Sequence, residues 1–274
     1  MKKKECIICI PVFRGMSDNE RHSLRQCLRV LGSYPIAFVA PSHLDCSDYE
    51  TECSLCGVTF RKITFDDEFF EGIAGYNRLL LSDRFYKAFQ QYDYILIYQL
   101  DAFVFKDELE EWCLKGYDFI GAPLFGRFAD EEFHPDQSRV GNGGFSLRRV
   151  QAYLDFFQGK KNVFKTNDIA NRIALWKKPY TRWLVWALMV MGWRNKPQSV
   201  AKHWKYNEDD FWTGLLDGSN YSLNKPSTQE ALRFAFERFP SDCYKLTGKL
   251  PFGCHAWKKY QYETFWKDII GLPE

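Results

Sequence analysis

The sequence predicts an α/β fold with a βαβ nucleotide-binding half, and three observations carry that expectation. Apolar runs alternate with helical-period segments through the first hundred residues, the alternation of strands and crossover helices. Residues 94–98 (YILIY) form an almost unbroken apolar and aromatic run, the pattern of a strand covered on both faces. That run stops at Gln99-Leu100-Asp101, and apolar residues resume at Ala102-Phe103-Val104-Phe105. An ionised carboxylate without a partner is costly to bury. Asp101 therefore belongs where the strand runs out and its side chain meets water, a metal or a ligand. Ligands gather at such strand ends in open α/β sheets, although a strand-end aspartate also caps turns.

Taken in order, residues 7–13 (IICIPVF) read as a first buried strand closed by Pro11, and 14–19 as a loop. Residues 20–31 have helical spacing at Leu24, Cys27, Leu28 and Leu31. Residues 36–40 make a second strand ending at Pro41, 46–56 a polar, irregular connection, 58–65 a third strand and 66–71 an acidic bend. Residues 76–91 have a helical period, with Leu79, Leu80, Phe85, Tyr86 and Phe89 inward, before the strand at 94. No Gly-x-Gly-x-x-Gly or Walker-type loop follows the first strand, which argues against a Rossmann dehydrogenase, a P-loop enzyme or a sugar nucleotidyltransferase. Further on, 118–122 suggest a strand, 125–139 a polar loop and 141–147 (GNGGFSL) a glycine turn entering a strand. Residues 151–157 and 166–176 read as helices, 183–193 are apolar on every face, and 207–212 (NEDDFW) open a helix running to 216. Ser227 and Glu230 fit a capping box, and 232–236 alternate like a strand. No linker or repeat divides the chain. One domain is expected, with a nucleotide-binding half of about residues 1–125 and an acceptor and catalytic half of about 126–274.

Composition narrows the class. With 46% hydrophobic residues among 274, a sizeable core is available. Thirty-seven basic against 35 acidic residues give a net charge of +2, which points away from nucleic acid as a partner. Nine cysteines, an odd number without framework spacing, read as reduced structural thiols. The pair Cys53 and Cys56 has no second pair to complete a zinc site. The basic start at 1–5 precedes an apolar run cut short by Pro11, too brief for a signal peptide, and no segment reaches the roughly 20 apolar residues of a membrane span. A cytoplasmic protein is expected.

Four features bear chemistry together: Asp101, the Gly143–Gly144 turn, the 208–210 acidic cluster and His255. A strand-end carboxylate suits Mg²⁺ or Mn²⁺ held by few protein ligands and diphosphate oxygens, and such an ion would neutralise a departing diphosphate. Imidazole suits Mn²⁺ as a further ligand, though a histidine among glycine, cysteine and aromatics is also a common core residue. Glycines at 143 and 144 permit a positive φ or close approach to a ligand, and equally form a plain hairpin turn. Glu208, Asp209 and Asp210 are favoured in a first helical turn by the helix dipole. A carboxylate there also serves as a general base, kept ionised by the dipole and capped by Asn207.

These residues resemble the motifs of glycosyltransferases of the GT-A fold, in which a buried strand ends in an Asp-x-Asp-type metal motif. Matching 104–107 (VFKD) to the tail of that motif places Asp101 on its second, metal-binding aspartate and Gln99 on its first; alternatively Asp101 is the first and Phe103 replaces the second. Gly143-Gly144-Phe145-Ser146 and Glu208-Asp209-Asp210 look like the Gly-Gly-x-Ser and Glu-Asp-Asp motifs of β-1,4-galactosyltransferase-like enzymes. The wider set, adding 76–82 (YNRLLLS) and 251–257 (PFGCHAW), also looks like a bacterial family of GT-A-type glycosyltransferases. The resemblance implies a mixed central sheet and metal-dependent transfer from a nucleotide-sugar donor, UDP-linked, to a hydroxyl of a glycan or lipid-linked glycan, with inversion. It implies that Pro11, Val12, Arg14, Tyr76, Asn77, Gln99 and Asp101 frame the nucleotide, and that Asp101 and His255 hold Mn²⁺ or Mg²⁺. Asn142, Gly143, Gly144, Phe145 and Trp212 would face donor sugar and acceptor. Asp209 would be the base, with Glu208 and Asp210 on acceptor hydroxyls. The alternative is a catalytically inactive sugar-nucleotide or glycan-binding protein, to which the Gln99 and Phe103 departures point.

Residues 176–196 carry a separate signal. Trp183, Trp186, Val190 and Trp193 fall on one helical face, and Leu184, Ala187, Leu188 and Met191 on the other. Lys177, Lys178, Arg182, Arg194 and Lys196 flank them, as beside anionic lipid at the inner face of a membrane. An all-round apolar helix is otherwise expected in a core or at a subunit contact.

Overall fold

The computed structural model describes residues 5–126, 132–174 and 179–271. The chain first lays down β1 (Cys6–Pro11), α1 (Asp18–Leu31), β2 (Ile36–Pro41), α2 (Ser47–Leu55), β3 (Phe60–Phe65), α3 (Gly72–Leu80), α4 (Asp83–Ala88) and β4 (Tyr94–Tyr98). The four strands are parallel neighbours in the order β3-β2-β1-β4. After them come β5 (Phe103–Val104), α5 (Leu109–Leu114), β6 (Phe119–Gly121), β7 (Pro123–Phe125), β8 (Ser138–Val140) and β9 (Phe145–Arg149). β9 lies antiparallel between β4 and β6, so the six-stranded sheet is mixed, as expected.

The rest is mostly helical: α6 (Val150–Gln158), α7 (Thr166–Ile173), α8 (Arg182–Val190), α9 (Pro197–His203), α10 (Glu208–Asp210) and α11 (Thr228–Phe234). β10 (Ala235–Phe236) and β11 (Gly253–Cys254) then pair with β5 as a small second sheet. That sheet matters because it ties the segment after Asp101 to the residues around His255.

Period-two alternation puts the central strands to work on both faces. Ile7, Cys9, Ile95 and Ile97 join one core cluster with Leu79, Tyr86, Tyr153 and Trp212. Ile8, Ile10, Leu96 and Tyr98 join the other with Leu24, Leu28 and Trp112. β3 closes one edge and exposes Arg61 and Lys62, charges that discourage edge-to-edge pairing.

Several expected elements differ. Residues 46–56 are not irregular: 47–55 form α2, whose polar sequence conceals a buried Glu52 paired with Arg21 and Arg25. The single helix expected over 76–91 is two, because the Ser82 hydroxyl accepts from Phe85 N–H and starts a new helix. Residues 228–234 are helical, leaving only Ala235–Phe236 as strand. The polar loop is bracketed by a β7–β8 ladder, with 127–131 outside the described residues. α7 ends at Ile173; Trp176, Lys177 and Lys178 also lie outside the described residues. The helix opened by Glu208 passes after one turn into a π-helical turn over Phe211–Leu215. No helix among the described residues is long and apolar enough to cross a membrane.

Candidate active site

A cavity of about 670 Å³ opens at the carboxyl ends of β1 and β4. Pro11 comes from the end of β1, and Gln99, Leu100 and Asp101 from the turn that follows β4. Phe13, Phe70, Ile73 and Tyr76 make an apolar wall on one side. Arg14, held by Glu20 at 2.8 Å, and Lys259 bring positive charge to the lining. Asn142, Gly143, Gly144, Asn77, Glu208, Asp209 and His255 complete the lining. Residues expected from four distant stretches thus meet in one space.

One pole of the cavity is His255. Its Nε2 lies 3.1 Å from Asp101 Oδ1 and 3.2 Å from Gln99 Oε1, while Nδ1 lies 3.2 Å from Glu237 Oε1. Burial works against a charge on this imidazole, but Asp101 and Glu237 outweigh it and push its pKa up to about 10. Burial likewise raises Asp101, yet the charge and hydrogen bond of His255 prevail and hold it below the ordinary aspartate value. Asp101 keeps 52% of its side-chain surface open and faces the cavity from the end of the strand. Glu237, missed from the sequence, is buried, and its second oxygen has no partner among the described residues. The imidazole is the group this carboxylate serves.

The donor set fits a hard divalent ion. Among the described residues no group of three or more His, Cys, Asp or Glu side chains could hold a metal. Asp101 and the Gln99 carbonyl would supply oxygen ligands, and His255 a nitrogen ligand once its imidazole gives up a proton. Few protein ligands, with substrate phosphates completing the shell, is the usual arrangement for Mg²⁺. The 3.1 Å between Asp101 and His255 is that of an ion pair, which a divalent ion would have to replace by displacing the imidazole proton. Glu237 behind Nδ1 fixes the orientation of the imidazole, as a carboxylate does behind histidines that ligate metals.

The other pole is built on Arg148, also missed from the sequence. It is fully buried on β9 and grips Glu208 with two hydrogen bonds of 2.7 and 2.9 Å. It further donates to Ser146 Oγ at 3.0 Å, Tyr86 Oη at 3.2 Å and the Gly143 carbonyl at 3.3 Å. Each Glu208 oxygen thus accepts one hydrogen bond from Arg148, which gives this residue an anchoring part in addition to its place on the cavity wall. Asp210 pairs with Arg139 and does not line the cavity, so its acceptor role is corrected.

Asp209 alone of the trio points a carboxylate with no cation on it into the cavity. Its Oδ1 accepts only the Asp210 N–H, at 2.8 Å. Burial, with the neighbouring Glu208 and Asp210 charges, pushes it up to about 7. The expected lowering by a helix dipole is outweighed, because α10 is a single turn and desolvation acts together with two neighbouring carboxylates. Capping by Asn207 is corrected as well: its side chain makes no cap bond, and Asn77 Oδ1 from α3 accepts the Glu208 N–H at 3.0 Å.

Gly143 and Gly144 separate the poles. Neither has a positive φ. A Cβ on Gly144 would lie 2.1 Å from His255 Nε2, and one on Gly143 would lie 2.5 Å from Glu208 Oε1. The glycines are there to admit those two side chains. Asn142 Oδ1 accepts the Gly144 N–H at 3.0 Å and fixes the turn.

Three expected site residues are core. Val12 is buried and donates its N–H to Val39 O. Phe145 packs against Tyr98, Phe234 and Phe252. Trp212, swung inward by the π-helical turn, is fully buried against Tyr86, Tyr153 and Phe156. Phe103 is buried beside His22 and Trp257, which removes it from any ligand role and leaves Asp101 as the strand-end carboxylate. Gln99 is in place on His255.

A family model described as "Protein of unknown function (DUF5672)" matches residues 59–255, over half of the chain. No curated protein matches. Among solved structures, core-mannan synthase A of Aspergillus fumigatus in a Mn/GDP form is 11% identical, with 76% of this chain and 68% of that chain covered and a TM-score of 0.41. The galactosyltransferase LgtC, in complex with donor and acceptor sugar analogues, is 11% identical over 91% of this chain and 86% of that one, with a TM-score of 0.48. A glycosyltransferase involved in glycosylating the major capsid of PBCV-1 is 11% identical over 95% and 96%, with a TM-score of 0.42. Likenesses this distant carry nothing about substrate or mechanism.

Proposed function

The chain belongs to the DUF5672 family, and for it we propose glycosyl transfer from a nucleotide-sugar donor, UDP-linked, to a hydroxyl acceptor, in one domain of GT-A type. The observation that supports this best is the pairing of two poles on one cavity: Asp101 and His255 on one side of Gly143–Gly144, Asp209 on the other. The apolar wall of Phe13, Phe70, Ile73 and Tyr76 suits the nucleobase, and Arg14 and Lys259 suit phosphate. Asp101 and His255 would hold Mn²⁺ or Mg²⁺, which neutralises charge on a departing diphosphate when bound. Glu237 fixes the imidazole, and Gln99 holds Nε2 toward the cavity.

Asp209 takes the acceptor proton. A base performs best when its pKa lies near the working pH, and about 7 meets that condition. Arg148 holds Glu208, and with Asn77 fixes the backbone from which Asp209 projects. A single displacement by a hydroxyl activated there inverts the anomeric centre. Next to Asn77 a second cavity of about 730 Å³ is bordered by Trp204, Tyr206, Lys202 and Lys205. We assign the acceptor to it, with these aromatics in the sugar-facing role first given to Trp212.

One observation favours a second reading, an inactive sugar-nucleotide-binding protein: Gln99 stands where a carboxylate would strengthen metal binding. Thermal unfolding with UDP, with and without Mn²⁺, followed by a donor-hydrolysis assay, separates the two. Transfer requires metal-dependent stabilisation, lost in Asp101→Ala, together with turnover of a UDP-sugar. Metal-independent stabilisation without turnover across the common donors supports the binder.

A further inference from the structure

We propose that the face built by α8 and the segments packed on it docks to a membrane surface carrying anionic lipid. The first observation is exposure. Within α8 only Val185 is buried, although the helix reads RWLVWALMV. Trp183 is 71% exposed and Met191 73%; Tyr180, Leu184, Trp186 and Trp193 are also exposed. A contiguous exposed apolar face of this kind marks an interaction site.

The second observation is charge, and it names the occupant. Residues 160–205 contain eleven Lys and Arg against one acidic residue, Asp168, a net of +10. The whole chain carries only +2, so all other residues together sum to −8. The net positive charge of the protein is concentrated in the stretch of sequence that contains this exposed apolar helix. Lys160, Lys161, Lys165, Arg194 and Lys196 are exposed, and none forms an ion pair with the described residues.

Hydrogen bonds lock these cations beside the apolar face. Lys196 Nζ donates to the Lys160 carbonyl at 2.7 Å, Asn162 Nδ2 to the Val190 carbonyl at 2.7 Å, and Asn195 Nδ2 to the Phe164 and Met189 carbonyls at 3.1 Å. Arg194 lies over the Trp193 ring at 4.9 Å, an amphipathic pair suited to a headgroup boundary.

Tryptophan with a lysine and arginine belt is the side-chain set that settles at a lipid interface. A second copy of the chain fits poorly, since a two-fold contact brings each face onto itself and opposes the same cations. α9 follows directly and supplies Gln198, Ala201 and Lys202 to the second cavity. Docking through α8 therefore brings that cavity to the membrane side, and if it is the acceptor cavity the acceptor is lipid-linked. The docking itself rests on the surface alone and stands or falls apart from the transfer reaction.

The test is flotation of the full chain with vesicles of phosphatidylcholine containing about one-third phosphatidylglycerol, against vesicles of phosphatidylcholine alone. Binding is expected to the anionic vesicles, weakening as salt rises from about 0.05 M to about 0.5 M. Reversal of exposed cations (Lys160→Glu, Lys161→Glu, Lys165→Glu) should lower partition by about fivefold or more per residue. Trp183→Ser with Met191→Ser should also release the protein, and unchanged circular dichroism and thermal midpoint would show that both variants fold. No flotation at low salt overturns the proposal, as does equal flotation of parent and either folded variant. Self-association that Trp183→Ser abolishes, without vesicle binding, overturns it in favour of a second copy.

Discussion

Asp209→Asn should make this protein more stable and nearly inert at once. Burial and two neighbouring carboxylates raise Asp209 from the ordinary 3.8 to about 7. The unfolded chain gives up this proton near pH 4, whereas the folded chain holds it to about pH 7. The stability contributed by the raised value is therefore present in full below about pH 4 and lost as pH rises through about 7. At about 1.36 kcal/mol per pH unit, that interval is worth roughly 4 kcal/mol. Asparagine is neutral throughout and keeps an Oδ1 to accept the Asp210 N–H that Asp209 accepts at 2.8 Å. The variant should match the parent at pH 4 and exceed it by roughly 2–4 kcal/mol at pH 8, about 5–15 °C in Tm for a chain of this size. Urea unfolding at the two pH values measures this without any substrate. Transfer by the same variant should fall by about 10²- to 10⁴-fold, while in the parent it rises with pH through about 7. A variant no more stable than the parent at pH 8 refutes the raised pKa, and with it the physical basis for Asp209 as a base tuned to neutral pH.

Three further outcomes follow from the two poles. Arg148→Met strands the buried Glu208 carboxylate and should cost about 3–5 kcal/mol in urea unfolding; a loss below about 1 kcal/mol would mean that the pair is not the anchor of the 208–210 turn. Glu237→Gln keeps a hydrogen bond to His255 but removes the charge behind it, so Mn²⁺ affinity in the presence of UDP should fall about 10- to 100-fold by thermal-shift titration with the ligand-free midpoint little changed; unaltered affinity removes Glu237 from the site. Gly144→Ala drives a methyl to 2.1 Å from His255 Nε2, and should abolish Mn²⁺-dependent stabilisation by UDP while UDP alone still binds; a parent-like metal response would show that the imbalance is absorbed elsewhere and that His255 is not a ligand.

The parts of the fold legible in the sequence are those whose signal is local. β1, β2 and β4 are covered on both faces and read as continuous apolar runs, and Asp101 shows itself by interrupting one. The glycine pair, His255 and two of the acidic trio, Glu208 and Asp209, were legible as motifs and do meet in one cavity. What failed was direction. β9 alternates, so Phe145 and Leu147 face one cluster while Ser146 and Arg148 face the other. Carrying the strand period four residues past Gly144, through Ser146, would have put Arg148 on the same face as Ser146. Its partner Glu208 is 60 residues away, and no single sequence announces such a pair. Trp212 was misplaced because a π-helical turn rotates it inward, which a 3.6-residue period does not anticipate. Glu237 was signalled only as a polar residue closing the 232–236 apolar stretch. For α8 the apolar pattern was read correctly and burial was the natural inference, but no element among the described residues covers it.

The glycine pair explains why both poles sit so close to a single strand end. A ligand cavity needs donor groups on one side and a base on the other, and here both groups arrive from elements distant in sequence. His255 is delivered by β11, which pairs with β5 just beyond Asp101, and Asp209 by a turn that Asn77 and Arg148 hold down. β9 runs between them, antiparallel to β4, and any side chain at its first turn would fill the space each pole needs. Gly144 N–H is taken by Asn142, and its carbonyl accepts the Gln99 N–H at 2.9 Å, so the bare backbone is fixed despite having no side chains to pack. The same bond ties the glycine turn to the residue that leads into Asp101. Removing two side chains from one turn and replacing their packing with hydrogen bonds therefore lets the Asp101–His255 pair and Asp209 share one wall.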